Sequence, residues 1–258
     1  MTEHHGHPRQ EVATACRIVG RKLGSTGHVS ARIDDREMYL RCRGENEAGL
    51  AYADTPSVRR MDFDGNGPLI GTYRLPHELP LHGEVYKARP DAQAVVHAHP
   101  YSVLLCGLVG VEFRPVFGGY QPPTLRIALD GVPVYDRVTQ TITNRELALE
   151  MLDAMGDRNL VLLRGHGVVT TGRSVRAATQ LALRFEHLAE ITWQLVLSGQ
   201  YGDVPDIPDI DRRRYGPERE GAPVESGVVE VAEGGEWLRH IRELEAAGGV
   251  PSAASGDE

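Results

Sequence analysis

The feature that most constrains the fold is a short strand pattern that ends in two histidines. Residues 92–100 read AQAVVHAHP, and the run is apolar on both faces until its histidines. A strand that is apolar on both faces belongs to a sheet that other elements cover on both sides. The run therefore predicts an α/β domain built on a buried sheet, with helices packed against both of its faces.

Hydrophobic periodicity divides the rest of the chain into further strands and helices. Beyond Tyr201 the composition shifts to Pro, Gly, Asp and Glu, and the last residues have the polar character of a disordered tail. We therefore expect one catalytic domain over 8–200 and an acidic, partly disordered C-terminal extension over 201–258. The expected helices include 10–23, 101–110 and 175–199, and the expected strands include 28–33, 37–42, 92–99, 126–136, 159–165 and 166–172.

Composition excludes several classes of function. The chain has 258 residues, a formal net charge of −8 and no basic patch interleaved with aromatic residues, so a nucleic-acid partner is not expected. No apolar run approaches the roughly 20 residues that span a bilayer, and the start of the chain has no apolar signal segment. Three widely spaced cysteines without a CxxC pair indicate a reducing compartment. We expect a cytoplasmic protein that acts on a small molecule, with no membrane partner.

Three histidines and one glutamate are the candidate active-site residues. On a strand, residues two apart face the same side, so the imidazoles of His97 and His99 can converge on one ion. His166 lies between glycines directly after a buried apolar strand, where α/β folds build sites. Three imidazoles can hold one divalent metal ion and leave a position for substrate oxygens. Glu78 is a candidate for proton transfer, although a lone carboxylate there is more typical of a helix N-terminal charge.

Five motifs follow one another along most of residues 8–200. They are GSTGHVSAR (24–32), TPS (55–57), E-x-x-x-H-x-x-x-Y (78–86), ARPDAQAVVHAHP (88–100) and LLRGHGVVTTG (162–172). Together they resemble the class II aldolase/adducin family. The resemblance implies a three-layer α/β/α fold with a central, mostly antiparallel sheet. It also implies that His97, His99 and His166 bind one divalent ion per chain and that Glu78 is the catalytic acid/base.

The same resemblance implies properties that the motifs alone leave open. The ion would be zinc by preference, with cobalt, manganese and iron as alternatives, because three imidazoles suit all four metals. The expected assembly is a cyclic homotetramer with the active site at a subunit interface. A tyrosine from the C-terminal region is expected to reach a neighbouring site, and both Tyr201 and Tyr215 are candidates.

Three segments depart from the sugar-phosphate aldolases of that family. Those members hold the substrate phosphate with small polar residues, whereas this chain has Gly27-His28-Val29-Ser30, Thr55-Pro56-Ser57 and Pro76-His77. A phosphate cradle needs small residues and free backbone N–H groups, and proline removes one. The variants resemble the branch that decarboxylates hydroxylated aromatic acids of the 3,4-dihydroxyphthalate type. The expected substrate contacts are His28, Ser30, Thr55, Ser57, Arg74 and His77.

We therefore expect a carbon–carbon lyase, namely a metal-dependent decarboxylase of a hydroxylated aromatic carboxylic acid. The ion would stabilise the electron pair left when the carbon–carbon bond breaks. One alternative is a class II aldolase that cleaves a small sugar-like carbonyl compound, with or without a phosphate. A second alternative is a non-catalytic adducin-like scaffold, which the retained histidines and Glu78 disfavour.

Overall fold

The central element, seen in a computed structural model, is a sheet with helices on both faces. The structure describes residues 7–45, 48–67, 73–118, 120–137, 140–215 and 226–251, without the side chains of 226–233. The sequence predicts disorder over 248–258; residues 248–251 of this segment are described, with Pro251 buried, and 252–258 lie outside these ranges. The strands are β1 (Gly27–Arg32), β2 (Glu37–Arg41), β3 (Val58–Asp62), β4 (Ala94–Ala98), β5 (Val134–Tyr135), β6 (Leu160–Leu163) and β7 (Gly167–Gly172). The helices are α1 (Pro8–Lys22), α2 (Leu79–Ala88), α3 (Tyr101–Val109), α4 (Pro122–Asp130), α5 (Arg145–Met155), α6 (Val175–Leu197), α7 (Asp209–Tyr215) and α8 (Ser226–Ala246).

The sheet has the strand order β3-β2-β1-β4-β7-β6-β5. Neighbouring strands are antiparallel except for β5 and β6, which are parallel, so the predicted mostly antiparallel sheet is confirmed. β4 lies in the middle, where His97 is paired with His28 of β1 and with Val169 of β7. Paired residues point to the same face of a sheet. This register therefore places His28 and His97 side by side.

Each face of the sheet carries its own apolar core. Helices α1, α3, α4, α6 and α8 contribute to one core, and α2 and α5 contribute to the other. Neighbouring residues of β4 divide between them, with Val96 in the first core and Val95 in the second. Burying a valine side chain stabilises the fold by about 1.5–3 kcal/mol. Because Val95 and Val96 are buried on opposite faces, packing holds β4 from both sides. The predicted three-layer α/β/α architecture is confirmed.

The segment 126–136 is not the long strand that its sequence predicts. Pro122–Asp130 form helix α4, and only Val134–Tyr135 belong to a strand. Two prolines open the helix, which suits them because the first helical N–H groups need no partner within the helix. Leu125 and Ala128, three residues apart, are buried on one face of α4, which packs against α6. The strand prediction is wrong because a short apolar run does not distinguish a buried helical face from a buried strand.

The long helix α6 is covered by other elements of its own chain. It contacts α1, α3, α4 and α8, and Phe185 and Leu188 on it are completely buried. Trp237 and Leu244 of α8 are buried in the same core. This part of the C-terminal extension therefore packs against the catalytic domain. Neither α6 nor any other helix in the described ranges combines the length and apolar character that crossing a membrane requires.

Glu186 of α6 anchors the chain directly after the histidine strand. Helix α3 begins behind Pro100, and no side chain at that position caps it. The two carboxylate oxygens of Glu186 instead accept the backbone N–H groups of Ser102 and Val103, each at 3.0 Å. A carboxylate at a helix N-terminus satisfies unpaired donors and interacts favourably with the helix dipole. The turn that carries His99 is thereby fixed between β4 and α3.

Candidate metal centre

His97 is held in one orientation by the neighbouring strand. Its Nδ1 lies 3.0 Å from the carbonyl oxygen of Val168. A carbonyl can only accept, so Nδ1 carries the hydrogen and Nε2 carries a free lone pair. Nε2 is buried without a hydrogen bond of good geometry, and it lies 3.0 Å from Oε2 of Glu78. A lone pair and a carboxylate oxygen at this distance require a positive charge between them, which a proton or a metal ion supplies.

His99 and His166 complete a compact group of imidazoles. The Nδ1 atom of His99 lies 3.2 Å from the carbonyl oxygen of Thr26, which directs the other ring nitrogen toward the group. The ring centroids of His97, His99 and His166 are 4.6 to 5.0 Å apart. One ligand atom from each of these histidines and from Glu78 lies within 4.8 Å of the others. The donor set and its orphaned lone pair therefore fit a divalent cation.

The backbone around His166 explains how its ring reaches the group. His166 belongs to the turn between β6 and β7, in which Gly165 has a φ of +69° that favours glycine. A Cβ atom at Gly167 would collide with the carbonyl oxygen of Ala98. Glycine at this position lets β7 approach the end of β4 closely. Gly165 thus allows the turn, and Gly167 allows the close approach that brings His166 to the end of β4.

Glu78 lies at the N-cap of α2 and is oriented from two sides. Its Oε1 accepts the backbone N–H of Ile142 at 3.1 Å, while Oε2 lies 3.7 Å from Nε2 of His166. Burial alone would raise the pKa of Glu78, but His97, His166 and the Ile142 amide favour the carboxylate and bring the pKa to about 2. Glu78 is therefore an ionised acceptor at neutral pH. Glu78 does lie at a helix N-terminus, as the alternative interpretation of its sequence position has it. That interpretation does not account for its contacts with His97, His166 and Ile142.

Two of the imidazoles, those of His99 and His166, disfavour the charged form. Burial, and then the proximity of His97, lowers the pKa of His99 to about 4. The same two causes lower the pKa of His166. Only the neutral imidazole has a lone pair for a metal. These two side chains are therefore in the ligand form at neutral pH.

The structure separates the six expected substrate contacts into three groups. His28 borders the cluster, with Nε2 3.7 Å from Oε2 of Glu78 and its ring centroid 5.0 Å from that of His97. Arg74 and His77 are exposed, and their described contacts do not place their side chains in the cluster. Ser30, Thr55 and Ser57 are buried.

Two of the buried hydroxyls are engaged in the protein itself. The hydroxyl of Ser30 lies 2.7 Å from both Nδ1 of His82 and the hydroxyl of Tyr86. The hydroxyl of Ser57 donates to the carbonyl oxygen of Asp54 at 2.6 Å. Ser57 has used its only hydrogen, and Ser30 is held between two partners, so neither hydroxyl is placed to donate to a substrate oxygen. We therefore do not retain Ser30 and Ser57 as direct substrate contacts.

His82 and Tyr86 are the residues that sequence reasoning left without a role. They follow Glu78 at intervals of four residues, which places all three on one face of α2. Nε2 of His82 lies 2.8 Å from Nδ1 of His28, and the ring of Tyr86 stacks on Phe63 with centroids 5.3 Å apart. The spacing in E-x-x-x-H-x-x-x-Y is the sequence signal for this face. It does not reveal that His28 and Ser30 of β1 lie opposite.

The two C-terminal tyrosines lie away from this chain's histidine cluster. The Tyr201 hydroxyl donates to the carbonyl oxygen of Glu112 at 2.6 Å and accepts the N–H of Arg114 at 3.0 Å. Tyr215 ends α7, where the guanidinium of Arg214 lies over its ring at 5.7 Å. The Tyr201 hydroxyl is thus already engaged within its own chain.

Comparison with known proteins gives consistent results. The Class II Aldolase and Adducin N-terminal domain matches residues 10–193. A 3,4-dihydroxyphthalate decarboxylase from Arthrobacter keyseri is 44% identical, with 80% of this chain and 85% of the relative covered. A second decarboxylase of that name, from Terrabacter sp., is 42% identical, with coverage of 82% and 90%. A 5-methylthioribulose-1-phosphate/5-deoxyribulose-1-phosphate aldolase from Rhodospirillum rubrum is 29% identical over 73% and 80%.

Solved structures extend the likeness to the fold. An aldolase II superfamily protein from Pseudomonas syringae superposes with a TM-score of 0.75 and covers 96% of each chain. Its sequence identity is 21%, so it supports the architecture alone. The solved structure thus agrees with the three-layer architecture described above.

Removal of single histidines tests the metal centre. We expect about one divalent ion per purified chain, because three imidazoles and an adjacent carboxylate form a usual catalytic site. His97→Ala, His99→Ala and His166→Ala should each lose most of the ion on dialysis, as measured by elemental analysis. His187→Ala is the matched control, since His187 lies on α6 outside the cluster. Full metal retention in all three cluster variants would contradict the site.

Proposed function

The chain belongs to the class II aldolase and adducin family, and we propose that it is a metal-dependent decarboxylase of hydroxylated aromatic carboxylic acids of the 3,4-dihydroxyphthalate class. The observation that carries the proposal is the 44% identity with a 3,4-dihydroxyphthalate decarboxylase over most of both chains. The convergence of Glu78 with three histidines supports it, because such a group suits carbon–carbon bond cleavage. The enzyme is accordingly a carbon–carbon lyase acting on a small molecule.

His97, His99 and His166 would hold one divalent ion. When bound, the ion would act as a Lewis acid that stabilises the electron pair released by the breaking bond. Zinc is the proposed metal, with cobalt, manganese and iron as alternatives, since nitrogen ligands alone do not discriminate among them. The free, buried cysteines Cys16, Cys42 and Cys106 agree with the proposed cytoplasmic location, where thiols stay reduced.

Glu78 is the proposed proton carrier. The reaction converts an aromatic carboxylate and one proton into carbon dioxide and a ring carbon that carries hydrogen. Because Glu78 is ionised, it can accept the proton of a substrate hydroxyl as the substrate binds. The same carboxyl can then return that proton to the ring carbon from which carbon dioxide departs. The hydrogen bond from Ile142 to Oε1 leaves Oε2 facing the histidine cluster.

The surroundings of Glu78 disfavour the sugar-phosphate alternative. Pro76 is buried two residues before Glu78, and Pro56 lies in the short helical turn at Thr55–Ser57. Neither proline has an N–H to offer a phosphate. His28 is a ring donor or acceptor that suits phenol and carboxylate oxygens. The 29% identity with a ribulose-phosphate aldolase keeps aldol cleavage as the alternative to be tested.

Substrate turnover tests the proposed reaction. The metal-loaded enzyme should release carbon dioxide from 3,4-dihydroxyphthalate, and removal of the hydroxyl next to the departing carboxylate should abolish release. The reason is that the electron pair then has no adjacent oxygen on which to move. Carbon dioxide trapping across a panel of dihydroxybenzoic and dihydroxyphthalic acids measures this. Efficient cleavage of a sugar phosphate, with no carbon dioxide from any panel member, would instead establish the aldolase, and inactivity with no bound metal would favour a scaffold.

A substitution that keeps the shape of the side chain tests the role of Glu78 in proton transfer. Glu78→Gln keeps the size of the side chain and its ability to accept the Ile142 N–H, but it cannot carry a proton. We expect the metal content to stay near one ion per chain and turnover to fall by roughly 10²-fold or more, the usual scale for loss of general acid–base catalysis. Glu84→Gln on the same helix, whose carboxylate pairs with Lys87, is the control. Wild-type turnover in Glu78→Gln would remove Glu78 from the mechanism.

We also propose a homotetramer with the active site near a subunit interface. Helix α3, which follows the histidine strand, leaves Tyr101, Leu108 and Val109 exposed in the single chain. Exposed apolar residues near one another are typical of contact surfaces. Multi-angle light scattering at micromolar concentration should therefore give a mass of about four chains of 28.3 kDa. A mass of 28.3 kDa under these conditions would contradict the assembly.

A further inference from the structure

We propose that Tyr86, Ser30 and His82 form a one-directional chain of hydrogen bonds that holds His28 as the Nε2–H tautomer, so that His28 presents a fixed donor to the active site. The three residues would act on catalysis through His28 and are positioning residues. The role of the donor rests on the function proposed above. The tautomer itself can be measured whether or not that function is correct.

The chain runs from the core to the edge of the candidate site without a gap. The Tyr86 hydroxyl lies 2.7 Å from Oγ of Ser30, and the same Oγ lies 2.7 Å from Nδ1 of His82. Nε2 of His82 lies 2.8 Å from Nδ1 of His28. The remaining ring nitrogen of His28, Nε2, lies 3.7 Å from Oε2 of Glu78. Each link is short enough for a hydrogen bond except the last, so Nε2 of His28 is not committed to Glu78 and can face a substrate oxygen.

The direction of the chain follows from its two ends. At the inner end, the described contacts offer the single hydrogen of the Tyr86 hydroxyl one acceptor, Oγ of Ser30, so Tyr86 donates to Ser30. Ser30 has a single hydrogen and donates it to Nδ1 of His82. His82 then carries its hydrogen on Nε2 and donates to Nδ1 of His28. At the outer end, Glu78 is an acceptor and favours a hydrogen on Nε2 of His28. Both ends select the same direction.

Directionality requires that each ring be neutral, with one N–H. His82 has no exposed surface, and burial, followed by the proximity of His97, lowers its pKa to about 3. A neutral imidazole has one donor and one acceptor, so fixing one nitrogen fixes the other. Ser30 is also fully buried and Tyr86 is 1% exposed. The chain therefore has no route to solvent and is suited to orienting a donor, not to supplying protons.

A fixed donor at Nε2 has a defined use in the proposed reaction. The reacting acid brings carboxylate and phenol oxygens, which accept hydrogen bonds from an N–H. The opposite tautomer would present a lone pair to those oxygens and to Glu78. Outer residues that fix the tautomer of a site imidazole change activity by about 10- to 100-fold when mutated. Specificity for oxygen-rich aromatic acids thus depends on residues that do not contact the substrate.

Nitrogen NMR of histidine-labelled protein tests the tautomer directly. Spectra are recorded on the metal-free protein and on protein loaded with Zn²⁺, and the His28 signals are identified by their loss in His28→Gln. The expected wild-type pattern is a protonated Nε2 and an unprotonated Nδ1. Ser30→Ala should move His28 toward a mixture of tautomers, and Tyr86→Phe should do so less, because Ser30 can still donate to His82. Thr179→Val, which removes a buried hydroxyl bonded within α6, should leave the pattern unchanged.

Kinetics test whether the tautomer matters for turnover. Ser30→Ala should lower kcat/KM by about 10- to 100-fold. In the His28→Gln background, the same serine change should alter kcat/KM by no more than about twofold, because the residue on which it acts is gone. Additive losses would show that Ser30 does not act through His28. An Nδ1–H tautomer of His28 in the wild type, or an unchanged tautomer in Ser30→Ala, would overturn this proposal even if the protein is an active decarboxylase. If the expected tautomers are found in a protein without decarboxylase activity, the proposed tautomer stands and only the proposed function is overturned.

Discussion

The candidate site depends on the hydrogen bond between Nδ1 of His97 and the carbonyl oxygen of Val168. This single contact, 3.0 Å long, turns a lone pair of a completely buried imidazole toward Glu78. The carbonyl is available there because β4 and β7 pair in a defined antiparallel register. A slip of one residue would direct His97 to the other face of the sheet. The two apolar cores, which cover β4 from both sides, hold that register and thereby hold the metal ligands.

Burying this many polar groups in one place is unfavourable unless each has a partner. The protein meets this requirement in two ways. On the inner side, His82, Ser30 and Tyr86 satisfy one another through short hydrogen bonds. On the outer side, the lone pair of His97 and the carboxylate of Glu78 require a positive charge between them. The described part of the folded chain itself places no cationic group between these two atoms. The site is thus preorganised to bind a cation there.

Sequence patterns predict what depends on local periodicity. The buried strand with His97 and His99, and the glycine-flanked His166, follow from a period of two and from glycine chemistry. The same reasoning fails at 126–136, where a helical face imitates a strand, and at Ser30, whose partners lie 52 and 56 residues away. The cap that Glu186 gives to α3 joins residues separated by more than 80 positions. Such contacts depend on how elements pack, and no local pattern in one sequence specifies them.

The division of the site between elements explains how one fold can keep its bond chemistry while its substrate changes. The histidines proposed as ligands lie on β4 and on the adjoining turns, where sheet register and the α3 cap leave little freedom. The positions that depart from the sugar-phosphate pattern lie elsewhere, at His28 on β1, at Pro56 and at Pro76. A loop residue can change without moving the sheet, because few backbone hydrogen bonds depend on it. His28 is the exception, since it lies on a strand directly beside His97. Its Nδ1 is satisfied by Nε2 of His82 on the facing helix, so a replacement at position 28 must also leave that buried nitrogen with a partner.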